Sequence, residues 1–299
     1  MRFVFVLQNN ISGSAYMKGV LPSIGLQNSG IRSYSVVNNS LDVDDIDEND
    51  VVIFVKYDLL KQAPLVKEKG AKVILDIVDS KGWKKHENNL DALIVNTRSQ
   101  CEIIKNRDGF DRPILAVPHI MTNFTSDYLS QTRKPVIDEI KTVGYLGVSE
   151  QFTDMKVFNA YCQDNEMQWY TSQPDKHSNK KETLRLDLGC IYNISETQRI
   201  VGSSTIAKPS GKLINMYSYG IPVLFSPYES YIEEISHSDF GDLLWCCCAT
   251  PLAFFQKIEI LKNNMNLYRE LSDCAYEFSK RYHISNTLNV YQDVIDLFN

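Results

Sequence analysis

Two α/β domains, each a parallel sheet covered by helices, are predicted by three observations. Short apolar runs alternate with amphipathic stretches along the whole chain. A polar, proline-containing passage over residues 126–135 divides that alternation into two similar halves. The 299 residues, 43% hydrophobic and 23% charged, suffice for two cores in an ordinary globular protein.

In the first half the apolar runs predict strands over 3–7, 31–37, 51–55, 72–77, 92–95 and 114–117, with helices over 14–27, 59–69 and 99–106. In the second half strands are expected over 142–146, 168–171, 187–192, 222–225 and 243–247. Helices are expected there over 153–164, 210–219 and 252–277. The expected domains are 1–125 and 136–283. The terminal stretch 284–299 carries Leu288, Tyr291, Val294 and Ile295 at near-helical spacing, a face that needs a surface to pack on.

Composition narrows the function classes. The 31 basic against 37 acidic residues leave a net charge of −6, which disfavours a broad nucleic-acid surface and favours a small molecule or glycan. Cys246, Cys247 and Cys248 are adjacent and the other four cysteines show no paired spacing. Neither a disulfide framework nor a zinc site is expected, and a reducing cytoplasm is. The triplet reads as small apolar residues in a buried strand. The opening MRFVFVLQNN is too short for a signal or membrane segment, and no window approaches ~18 uninterrupted apolar residues. Peripheral membrane contact stays open, although Lys176, Lys180, Lys181 and Arg185 cluster around a polar stretch without a matching apolar face and read as a solvated face.

The densest functional signal is the run KPSGKLINMYSYGIPVLFSPYE over 208–229. A helix starting near Ser210 would present unpaired backbone N–H groups, a hydroxyl and the ammonium groups of Lys208 and Lys212 to an anion. Leu213, Met216 and Tyr217 would pack it down, Gly220 would end it, and 222–225 would form the next strand. A solvated turn with two lysines is the plain alternative.

Lys208, Pro209, Lys212, Leu213, Asn215, Gly220, Pro222, Val223 and Glu229 resemble the donor-binding segment of GT-B glycosyltransferases. The resemblance implies two Rossmann-like domains facing across a cleft, the first on the acceptor side and the second binding a nucleotide-diphosphate sugar. It also implies a C-terminal helix that crosses back to the N-terminal domain. In such enzymes the cations hold the diphosphate and the later glutamate bonds the ribose. Ala207 and Asn215 stand where retaining members carry paired glutamates, so the anomeric outcome does not carry over.

Ligands of open parallel sheets bind at the carboxyl ends of strands, and four loops there are candidates. Gly13 and Ser14 follow the first strand and would approach the acceptor or donor phosphate. Asp79, beyond the strand holding Asp76, is the preferred acceptor base, with a helix cap as its plain reading and His86 as a rival. His119 ends the last strand of the first half and is a catalytic candidate able to donate to a phosphate or sugar oxygen, with a bond inside the hinge as its plain reading. Gly147 and Ser149 open the second half beside the diphosphate. Arg199 is a further cation for the same phosphates, while Arg98 and Lys56 are unranked. No metal is expected, because Asp42-Val43-Asp44 lies in an acidic run unsuited to holding one.

The expected function is transfer of a sugar from a nucleotide-diphosphate sugar to a hydroxyl acceptor, cytoplasmic and without a cofactor. The alternatives are a non-catalytic sugar-nucleotide binding or scaffolding protein and a nucleotide-sugar epimerase. A phage-type DNA glucosyltransferase is disfavoured by the acidity.

Overall fold

In the computed structural model the described residues are 1–8, 13–78, 83–124, 131–147, 152–172, 180–192 and 210–298. They form two compact units. Met1–Ile120, Ile206–Gly211 and Tyr282–Asn299 make the first, and Met121–Thr205 with Lys212–Arg281 make the second.

The first unit is built on six strands, β1 (Arg2–Leu7), β2 (Ser33–Val37), β3 (Asp50–Val55), β4 (Lys72–Asp76), β5 (Ala92–Val95) and β6 (Ile114–Ala116), all parallel in the order β2-β1-β3-β4-β5-β6. Period-two alternation splits the strands between two cores. Val4, Val6, Val52, Phe54, Val73 and Leu75 face one side. Phe3, Phe5, Leu7, Val51, Ile53 and Ile74 face the other. A parallel sheet needs both faces covered, and this one is.

The second face is closed by the chain's return. Helices α10 (Thr287–Val290) and α11 (Gln292–Phe298) set Tyr291, Val294 and Ile295 against it, with Tyr291 edge-on to Phe5 at 5.9 Å. Helix α1 (Leu21–Asn28) lies beside them, and Gly25 leaves room for the Thr287 side chain. The helix expected over 14–27 opens instead as a π-helical turn, Tyr16–Val20, before α1. Pro22 at the start of α1 has no N–H to continue the earlier ladder. Likewise a 3₁₀ turn, Tyr57–Gln62, precedes α2 (Ala63–Glu68) at Pro64. Helix α3 (Arg98–Ile103) is capped by the Thr97 side chain, which accepts from the Gln100 N–H.

The second unit carries four parallel strands, β7 (Thr142–Leu146), β8 (Gln168–Ser172), β9 (Leu188–Ile191) and β10 (Val223–Phe225), in the order β10-β9-β7-β8. Its helices are α4 (Met155–Asp164), α5 (Lys180–Arg185), α6 (Gly211–Tyr217), α7 (Glu229–Ser236), α8 (Pro251–Asn263) and α9 (Met265–Ser279). Two expectations are corrected here. Residues 243–247 are not a strand: Gly241–Cys246 form a 3₁₀ helix, followed by a single bridge from Cys247 to Phe225. The Lys257 ammonium donates to the carbonyls of Trp245 and Cys247, a side-chain partner in place of a ladder. The helix over 252–277 is two, because the Asn264 side chain caps a new start by accepting from the Leu267 N–H at 3.1 Å. All seven cysteines are free thiols. Among the described residues no helix is long and apolar enough to cross a membrane.

Candidate functional site

In the second unit the run singled out in the sequence folds as a helix and strand. Leu213, Ile214, Met216 and Tyr217 are buried on α6. The helix ends at Gly220, whose φ of 72° turns the chain so that the Ile221 N–H donates back to the Met216 carbonyl at 3.2 Å. Met216 packs where Gly189 of β9 has no side chain, which seats α6 on the sheet.

This seating places Lys212, at the second position of α6, over the carboxyl end of β7. Its ammonium donates to the Tyr145 hydroxyl and lies 4.6 Å from the centre of that ring. Gly147 stands immediately beyond β7. A Cβ at this position would come within 2.6 Å of the Lys212 Nζ and 2.5 Å of the Tyr145 Oη, so glycine leaves the space these two groups occupy. Two residues predicted from distant segments are thus brought together. Tyr145 joins them, although its aromatic character in a strand reads as core alone.

The Asn215 carboxamide oxygen accepts from the Thr122 N–H at 2.8 Å and its hydroxyl at 3.2 Å, a bond that fixes α6 to the segment after β6. Glu229 begins α7 rather than lying in a loop, at a helix start that favours a carboxylate. Ser149, Arg199 and Lys208 lie outside the described residues, as does Asp79 of the first unit.

In the first unit the candidates converge on the carboxyl ends of β1, β3, β4 and β6. Gly13, at φ 47°, opens the turn after β1, and Ser14 follows it into the helix. His119 is 1% exposed, and neither ring nitrogen has a hydrogen-bond partner among the described residues. Burial, reinforced by the charges of Lys18 and Lys56, holds its pKa well below the usual histidine value, so the ring is neutral. Ser210 is buried, and Gly211 packs against the His119 ring, where a Cβ would lie 3.3 Å from Cδ2.

Sequence reasoning missed Lys18. It is 0% exposed, with its ammonium 3.1 Å from the Asp76 carboxylate, also 0% exposed, and 2.5 Å from the Val117 carbonyl. Lysine at that position carries no local signal, since the pairing depends on three separate strands' ends. The other oxygen of Asp76 accepts from the Val78 N–H at 3.2 Å, and Asn96 donates to the Val78 carbonyl at 2.6 Å. Val78 is held at φ 53° and Lys56 at φ 84°, conformations that cost a β-branched or long side chain of order 1–3 kcal/mol each. Such strain concentrates at functional sites. His86 lies apart in a 3₁₀ turn, Trp83–Asn89, and Arg98 begins α3.

Among the described residues no group of histidine, cysteine and carboxylate side chains is arranged to hold a metal. No protein-family model and no curated sequence matches the chain. Solved structures do. A trehalose-6-phosphate synthase, from a study of bisubstrate glycomimetics, superposes with a TM-score of 0.60 at 8% identity, over 99% of this chain and 99% of that one. Phage T4 BGT in complex with its UDP-glucose substrate gives 0.57 at 9% identity, over 100% and 99%. The pneumococcal O-GlcNAc transferase GtfA, in complex with UDP and GlcNAc, gives 0.55 at 11% identity over 85% of this chain, which spans 58% of that protein's length. The fold is GT-B.

Proposed function

We propose that this protein is a glycosyltransferase, hexosyltransferase-like, that moves a sugar from a nucleotide-diphosphate sugar to a hydroxyl acceptor in glycan or polysaccharide synthesis. The observation that carries this reading is the convergence of Lys212, Tyr145 and Gly147 at the carboxyl end of β7. It occurs on a fold shared with proteins solved with UDP or UDP-glucose.

The bare backbone at Gly147 lets a phosphate approach the Lys212 ammonium, which neutralises charge as the diphosphate departs. Lys208, Arg199, Ser149 and Ser210 extend this grip, Asn215 holds the helix that presents it, and Glu229 bonds the ribose. On the first unit, the neutral His119 imidazole offers one donor and one acceptor, the complement of a sugar hydroxyl. Asp79 takes the acceptor proton, and Gly13 and Ser14 border the acceptor or phosphate. The chemistry runs without a metal or resident cofactor, with positive charge supplied by the lysines and arginine. Its seven free thiols suit a cytoplasmic protein.

Incubation with UDP-, GDP- and CMP-sugars, followed by nucleotide release and thermal shift, tests the reading. Stabilisation with release of nucleotide in the presence of a hydroxyl acceptor supports it. Stabilisation without turnover favours the binding protein, epimerised donor favours the epimerase, and no shift with any nucleotide removes the donor site.

A further inference from the structure

We infer that Lys18 and Asp76 form a positioning pair for His119, fixing the strand end that carries this imidazole to the helix after β1. The inference rests on the reading of His119 as a group of the sugar-transfer site. The backbone on both sides of His119 is held by two consecutive residues. Val117 C=O accepts from the Lys18 ammonium at 2.5 Å, and the Ile120 N–H donates to the Met17 carbonyl at 3.4 Å. Met17 and Lys18 therefore bracket the His119 segment from one turn.

That turn is the π-helical Tyr16–Val20, a geometry seldom kept without a functional reason. It is itself anchored, because the Tyr291 hydroxyl donates to the Lys18 carbonyl at 3.4 Å. Asp76 completes the link. One carboxylate oxygen meets Lys18, and the other accepts the N–H of strained Val78. A fully buried ion pair seldom gains stability over apolar residues of equal size, since desolvation offsets the attraction. What this pair supplies is a fixed distance between the ends of β4 and β6 and the first helix. The imidazole depends on such outside support, having no hydrogen bond of its own among the described residues.

The test uses the full chain and replaces the pair with uncharged residues of similar size, Lys18→Met with Asp76→Asn, in the parent and in a His119→Gln background. The pair substitution is expected to lower turnover of a UDP-sugar about 10- to 100-fold in the parent, with KM for the donor within about twofold, and to cost nothing further beside His119→Gln. It is also expected to move the ¹⁵N-imidazole signal assigned to His119 by its loss in the single variant. An equal loss of turnover in both backgrounds, or an unmoved imidazole signal, overturns the inference. Should the pair variant not fold, Lys18→Met with Asp76→Leu, which leaves neither a buried charge nor a donor for Val117, is read by the same criteria. If the parent turns over no nucleotide sugar, the transferase reading fails while the imidazole signal still decides whether the pair positions His119.

Discussion

Gly147→Ala tests the proposed phosphate grip sterically, because the residue does not hold a positive φ and the change adds a single methyl beside the Lys212 ammonium. The added methyl would lie 2.6 Å from the Lys212 Nζ, 2.5 Å from the Tyr145 Oη and 2.6 Å from its Cζ. The Tyr145 ring is 1% exposed, so the clash is relieved by moving the Lys212 ammonium together with the ring or the residue-147 backbone, and either shift changes the geometry at the ammonium. Losing one charge-assisted contact to the diphosphate costs about 1.5–3 kcal/mol, or roughly 10- to 150-fold in affinity. Overpacking adds about 1–3 kcal/mol of lost stability. Titration calorimetry with UDP, run beside thermal unfolding, separates the two. The companion Tyr145→Phe keeps the ring and removes only the hydroxyl, and it is expected to weaken binding by less. Parent affinity in Gly147→Ala would show that Lys212 does not touch the phosphates.

Gly25→Ala would drive a methyl into the Thr287 side chain and is expected to cost about 1–3 kcal/mol, read as a lower thermal midpoint; an unchanged midpoint would deny that the terminal helices pack there. His119 protonates more readily unfolded than folded, so its contribution is complete above pH ~6.5 and is lost as pH falls from there toward its lower folded-state value. His119→Gln should flatten the denaturant-measured stability profile between pH ~6.5 and ~5 by up to about 1.4 kcal/mol per pH unit, and a parallel profile would refute this. Lys56→Gly relieves a φ of 84° and is expected to raise the unfolding free energy by about 1 kcal/mol. A lower midpoint would contradict it.

The strands of the first sheet were legible because both of its faces are covered, which writes them as near-continuous apolar runs such as Val51–Val55, all buried. Where tertiary bonds override local pattern, the reading failed. Residues 243–247 have the composition of a strand, yet Lys257 takes their carbonyls. Helix α7 at Glu229 was read as a loop, since no side chain caps it. The site divides in the same way. Lys212 and Gly147 were visible because one lies in a recognisable run and the other in a glycine turn. Tyr145 and Lys18 were invisible, because each acquires its role from a partner far along the chain, 67 positions away for Tyr145 and 99 for the Val117 carbonyl.

The return of residues 282–299 to the first unit sets a schedule for biosynthesis. The sheet that begins at Arg2 is left without Tyr291, Val294 and Ile295 until the ribosome has made everything in between. At ordinary elongation rates, some 160 residues separate Ile120 from Tyr282 by on the order of ten to thirty seconds. Throughout that interval the face around Phe5 and Leu26 is an open apolar surface for chaperones, whereas the later-made unit closes from its own contiguous stretches. Expression of residues 1–120 alone would make that exposure permanent. A soluble fragment therefore has to carry the last helices with it, joined by a short linker in place of the intervening unit.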